Sequence, residues 1–161
     1  MFIRVHPRSI VRFFLRVFTQ PSHQTYMPQI QLDPLIQRVL AAVYEVSNTL
    51  GTGFLEKVYE RALLRELSLR GIQAVPQAAC PVLYKGAPVG EYYADILVED
   101  VLILELKCVD HLAIQHTAQC LNYLRASGRT LALLINFNKP TVELKRVVYR
   151  HPSSSELIRV P

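Results

Sequence analysis

Residues 101–110 read VLILELKCVD, four apolar residues running into Glu105, Leu106 and Lys107. The apolar run reads as a buried strand. A second such run, RTLALLINF at 129–137, is nearly all apolar, the pattern of a strand covered on both faces. Strands of this kind need a layer of helix on each side, which points to an α/β chain. Side chains alternate along a strand, so Glu105 and Lys107 share a face, two residues apart. A buried strand that ends on an acid and a base constrains both the fold and its chemistry.

The rest of the chain supplies the layers. DPLIQRVLAAVYEVSNTL, 33–50, repeats Leu35, Ile36, Val39, Leu40, Val43 and Val46 at helical spacing. Asp33 is its expected N-cap, with Pro34 in the first turn. GTG at 51–53 breaks it, and FLEKVYERALLRELSLRG, 54–71, is a second helix ending at Gly71. IQAVPQAACPVLYKG is an extended segment interrupted by Pro76 and Pro81, and APVGEYYADILVED is the next strand. IQHTAQCLNYLRASG, 114–128, is a third helix with Ala118, Leu121 and Leu124 on one side. After 129–137, NKPT turns the chain into a last strand, VELKRVVYR. The order is two helices, three strands, a helix and two strands: a mixed α/β sandwich.

Composition narrows the class. The 161 residues are about one domain's worth, half of them hydrophobic and 19 % charged. No apolar run approaches the roughly 18 residues of a membrane span. Three cysteines, Cys80, Cys108 and Cys120, form no CxxC pair, which argues for a reducing compartment, the cytoplasm. The formal charge is +5, of which Arg4, Arg8, Arg12 and Arg16, with no acid before residue 27, supply four. The remainder, 14 Lys and Arg against 13 Asp and Glu, is close to neutral and gives no strongly basic groove. Residues 1–30 therefore read as a basic extension, 31–150 as a single domain and 151–161 as a tail. The extension fits a transit peptide, a helix lying on a membrane or phosphate backbone, or sequence upstream of a true start at Met27. The last is the favoured reading.

Asp95, on the strand before Glu105, completes a constellation. A two-residue turn at Glu99–Asp100 would set Asp95 against Leu104 and point the two acids to opposite faces. A three-residue turn, or one bulge, sets Asp95 against Glu105, and this register is expected. Two opposed carboxylates repel, so a proton, Lys107 or a divalent cation must offset them. Oxygen ligands suit Mg²⁺, which takes one or two carboxylates and keeps several waters. Lys107 could then hold an attacking water or steady a phosphate, the metal-assisted route to phosphodiester hydrolysis. A second ELK, Glu143 to Lys145, follows a proline turn and reads as an exposed pair.

Three further sets carry competing readings. In GFLEKVY, Gly53 as N-cap with Glu56 at the third helical position explains both without function; a Glu56 carboxylate joining the sheet acids explains them equally well. Tyr59 lies on the same helix face as Glu56. Gln115, Gln119 and Tyr123 stand one turn apart and read first as a polar stripe, or else as groups that orient a water or phosphate. Cys108, His111, His116 and Cys120 match no structural-zinc spacing.

Taken together, LGTGFLEKVYERALLRELSLRGI, YKGAPVGEYYADILVEDVLILELK, AQCLNYL and LALLINFNKPTVELKRVV resemble the GxxExxY proteins of the PD-(D/E)XK nuclease-like superfamily, from about Leu35 to Tyr149. The naming motif is Gly53, Glu56 and Tyr59. The resemblance implies an α-β-β-β-α-β core and Mg²⁺- or Mn²⁺-dependent cutting of nucleic acid, DNA before RNA. It matches Asp95 and Glu105 to the motif's acids, Lys107 to its lysine, Glu56 to the helical acid and Gln119 to the glutamine of the following helix. Glu56, Asp95 and Glu105 would hold the metal; Tyr59 would order Glu56, and Tyr59 and Tyr123 would support substrate. Two positions depart from the pattern: Ser47 where a His is usual and Thr52 where a Pro is usual. A non-catalytic nucleic-acid- or protein-binding module on the same fold is the alternative.

Overall fold

The computed structural model describes residues 29–150, with side chains from Asp33 onward. The basic extension, the linker before it meets the first helix, and the tail from His151 lie outside the described residues. The chain divides into two compact units at Ile36 and Gln37, and the sheet lies wholly in the second.

Helix α1 (Gln29–Leu50) begins upstream of Asp33, with Pro34 inside it. A proline near a helix start forfeits one bond while its φ is already helical, so Pro34 marks no boundary. Val39, Ala42, Val43 and Val46 form its buried stripe. Helix α2 (Glu56–Leu69) starts after extended Leu55, which makes no side-chain cap. Glu56 is thus the first helical residue and not the third, and the Gly53 capping box does not form. The reason lies in the preceding loop. Gly51 and Gly53 have φ of +68° and +103°, and the Tyr59 hydroxyl donates to the Gly51 carbonyl at 2.7 Å while accepting from Phe54 N at 3.3 Å. Tyr59 is buried and stacks flat on Phe137 at 4.6 Å. A ring clamped from both sides fixes the loop, and the loop fixes where α2 begins.

Five strands form one sheet in chain order: β1 (Ala74–Tyr84), β2 (Ala87–Val98), β3 (Leu102–Lys107), β4 (Leu131–Asn136) and β5 (Glu143–Val148). All neighbours are antiparallel except β3 and β4, which run parallel and are joined through α3 (Ile114–Ser127). A parallel connection needs such a crossover. Every residue of β4 is buried, as its composition predicts. Ile103, Ala132, Leu134 and Val147 meet Cys120, Tyr123 and Leu124 of α3 in one core cluster. The buried stripe of α3 is therefore turned from the predicted one: Ala118 is exposed and Tyr123 is inside. Burying a tyrosine ring removes far more apolar surface from water than burying an alanine methyl, and that sets the rotation.

The β2–β3 turn decides the register. Val98 pairs with Leu102, Leu97 with Ile103 and Ile96 with Leu104, leaving three residues in the turn. One step further in the same register, Asp95 stands opposite Glu105. Glu99 and Asp100 both adopt left-handed backbone, φ +48° and +58°, which ordinary residues avoid. Tertiary contacts hold them there. Glu99 N donates to the Gln73 carbonyl and its carboxylate accepts from Gln73 N, each at 3.0 Å. On the other side, Arg129 Nε donates to the Asp100 carbonyl at 2.9 Å and its guanidinium pairs with the Asp100 carboxylate. Arg129→Ala is expected to cost about 1 kcal/mol, a fall in Tm of roughly 2–4 °C. Hydrogen exchange should show the Val101 amide, bonded to Val98 O at 3.0 Å, opening faster.

Candidate active site

Glu105 is a carboxylate with 1 % of its surface exposed, inside a strand that apart from it and the terminal Lys107 is leucine and isoleucine. It shares its face with Ile103 and so points toward the α3 side of the sheet. Lys107 Nζ donates to its Oε1 at 2.5 Å. Oε2 is buried with no hydrogen-bond partner. Such an orphaned charged oxygen carries the full desolvation penalty unless something meets it. Asp95, half-buried across the ladder, accepts Leu106 N on Oδ2 at 2.8 Å. Backbone pairing thus places Asp95, and strand alternation places Glu105 and Lys107.

Helix α2 adds its first turn. The half-buried Glu56 carboxylate lies within electrostatic reach of Lys107 and Asp95. Freed from the capping role, it reaches the C-terminal end of β3. One turn on, Glu60 is buried, with 4 % exposed, and both its oxygens accept Lys57 Nζ, at 2.6 and 2.8 Å. Gln77 Nε2 donates to Glu60 Oε2 at 3.1 Å. Lys57, Glu60 and Gln77 were not among the predicted residues. The i, i+4 spacing from Glu56 could have found Glu60. No local signal could have found Gln77, which follows Pro76 in an extended segment.

Helix α3 brings Gln119 and Tyr123 over the same face. Gln119 Nε2 donates to the Tyr123 hydroxyl at 2.6 Å, and the Tyr123 ring, 4 % exposed, meets Tyr92 edge-on at 5.8 Å. The reading of these residues as a solvent-facing polar stripe fails, although Gln115 does face water. Burial first, then the nearby Glu105 charge, holds the Tyr123 hydroxyl well above its usual range. Tyr59 is not on Glu56, as expected from sequence; its hydroxyl is used on the Gly51–Phe54 loop.

Other candidates fall away. His116 Nδ1 accepts Ala113 N at 3.0 Å. Burial pushes the Cys108 and Cys120 thiols up to about 11 and about 12, leaving them unreactive at neutral pH. Glu143 of the second ELK accepts Asn136 Nδ2 at 3.1 Å, while Lys145 is exposed on β5.

The charges at the centre all move the same way. Glu105 is pushed up to about 7, by burial first and then by Asp95. Burial is also the largest cause that raises Asp95 and Glu56. Lys107 is raised despite its own burial, because the Glu105 hydrogen bond and the surrounding carboxylates favour its charge. Burial leads the rise of each acid and neighbouring carboxylates add to it, a balance that a bound cation would offset. Among the described residues no three His, Cys, Asp or Glu side chains converge tightly enough to make a cation cage unaided. The bare Glu105 oxygen and the Asp95 carboxylate do fit a hard cation that keeps most of its waters, with Glu56 at the margin.

With this geometry in place, the family relation is specific. The family model described as the PD-(D/E)XK nuclease superfamily matches residues 33–147, most of the chain, and the chain belongs to that superfamily. A search of curated proteins gave no match. A solved structure titled "Crystal structure of SSO0001" is similar, with a TM-score of 0.49 and 14 % identity over 80 % of this chain; the match spans 64 % of that protein's length.

Glu105 keeps its proton to about pH 7 in the fold, against 4.5 without it. Between those values the native state binds more protons than the unfolded one, so stability falls as pH rises. The contribution of Glu105 is on the order of 3 kcal/mol. Metal-free melting curves should show Tm declining from pH 5 to pH 8. Glu105→Gln should flatten the decline and exceed the wild type only at the upper end.

Proposed function

We propose that the chain is a divalent-metal-dependent nuclease, Mg²⁺ or Mn²⁺ serving it, that hydrolyses phosphodiester bonds in nucleic acid, and that it belongs to the GxxExxY branch of its superfamily. The observation that supports this best is the buried Glu105 oxygen without a partner, set beside Asp95 and Lys107. Asp95 and Glu105 would hold the metal, with Glu56 contributing. Bound there, the metal would supply Lewis-acid activation of water and of the phosphate oxygens. Lys107 stays charged at neutral pH because its affinity for the proton is raised. It is therefore not the base. It orients the attacking water and offsets the negative charge that grows on phosphorus-bound oxygen as the P–O bond to the leaving group breaks. Gln119, steadied by Tyr123, is placed to contact substrate.

The β1–β2 hairpin supports nucleic acid as the partner. Beyond Asp95 it carries exposed Tyr93, Tyr92 and Tyr84, with Lys85 over the Tyr84 ring at 5.5 Å. Exposed aromatic rings offer stacking surface that a near-neutral domain needs in place of a basic groove. DNA is the favoured substrate over RNA. All three cysteines are free, and among the described residues no helix is long and apolar enough to cross a membrane. A cytoplasmic location is part of the proposal.

Titration with Mn²⁺ followed by thermal melting should raise Tm in the wild type and not in Glu105→Ala. Lys107→Ala should keep that rise yet lose cleavage of single- or double-stranded DNA by about 100-fold or more. Binding of nucleic acid with no cleavage at any metal concentration would favour the non-catalytic module. Neither metal response nor cleavage in the wild type would overturn the nuclease reading.

A further inference from the structure

Gln77 is in the wrong conformation for its place. It lies in the middle of β1 with φ +49°, in the left-handed region, although it is not a glycine. The ladder on each side is regular: Pro76 pairs with Ile96 and Ala78 with Ala94, so Gln77 stands opposite Asp95. Between Ala74 and Val82 only this residue departs. The conformation is strained for a residue with a Cβ, and packing does not offset it, because Gln77 is exposed. What the conformation achieves is a change of aim. The amide reaches Glu60 Oε2 at 3.1 Å, and across the ladder it faces Asp95, whose charged form it favours. An amide nitrogen has two N–H groups, enough for both. Glu60 is a firm anchor, buried and gripped through both oxygens by Lys57.

We propose that Gln77 is a positioning residue: its left-handed backbone turns the side-chain amide so that it ties Glu60 on α2 to Asp95 on β2 and sets the direction of the Asp95 carboxylate. The inference rests on the nuclease reading of the Asp95–Glu105 pair and adds a second tier to it. Leu106 N holds one Asp95 oxygen through β3, and the Gln77 amide holds the carboxylate from the side of β1 and α2. Asp95 is thereby fixed relative to the helix that carries Glu56, so the three acids keep one geometry. Outer partners of this kind are worth about 10–100-fold in metal affinity.

Two variants separate aim from fold. Glycine adopts positive φ freely, and asparagine does so more readily than glutamine but is one methylene too short for the bridge. Gln77→Gly and Gln77→Asn should therefore melt no lower than wild type without metal. Calorimetry with Mn²⁺ should show their affinity reduced about 10-fold or more, and cleavage should need correspondingly more Mn²⁺, with KM for DNA unchanged. In metal-free wild type, NMR should show slow exchange of the Gln77 side-chain amide protons, accelerated by Glu60→Ala. Wild-type Mn²⁺ affinity in both variants would overturn the proposal, as would a lower metal-free Tm large enough to explain the loss, or fast amide exchange in the wild type. A wild type silent to Mn²⁺ in calorimetry and in cleavage would overturn it together with the nuclease reading, a result distinct from the others.

Discussion

Glu105 is an ionisable group placed where a leucine would be less costly. One oxygen is held by Lys107 and the other is bare. A buried carboxylate left half-satisfied weakens the fold, and here it lies within a few residues of the best-packed strands. Much of the surrounding structure serves to keep that arrangement in place. The β4 strand and α3 seal the carboxylate from water. Asp95 opposes it, and among the described residues Lys107 supplies the single close cation. The upward shifts of Glu56, Asp95 and Glu105, led by burial, and that of Lys107, raised by the carboxylates around it, mark a cluster of acids drawn out of water around one lysine.

That arrangement depends on backbone that is individually unfavourable. Glu99 and Asp100 turn through left-handed conformations to give a three-residue turn, and Gln77 does the same within a strand. None of these residues chooses that conformation alone. Gln73 and Arg129 clamp the first pair, and the Glu60 carboxylate engages the third. Strain concentrated beside a cluster of acids, and relieved by contacts from distant segments, is the pattern of a site whose geometry is held by the tertiary structure around it.

The layers were legible from residue order. Apolar runs without alternation predicted β3 and β4, helical periodicity predicted the three helices of the described residues, and the order of those elements follows. Asp95, Glu105 and Lys107 were legible as a set because strand alternation and a hairpin bring them together. Glu60 was within reach of the same helical spacing that placed Tyr59, one turn on from Glu56, whereas Gln77 was not legible, because its role comes from a backbone flip that no propensity foretells. Tyr59 was found for the wrong reason. Its ring position followed from helical spacing, but the destination of its hydroxyl depended on the path of the Gly51–Gly53 loop.

By itself the sequence determined the element order, the burial of the central strands and the side of β3 on which an acid and a base would emerge. These follow from local rules: the period of a helix, the alternation of a strand and the cost of exposing apolar surface. The tertiary structure decided the register that sets Asp95 against Glu105, the rotation of α3 that turns Tyr123 inward and the freeing of Glu56 from a capping role. Each of these is a choice between states that differ little locally, and each is settled by contacts between residues far apart in the chain.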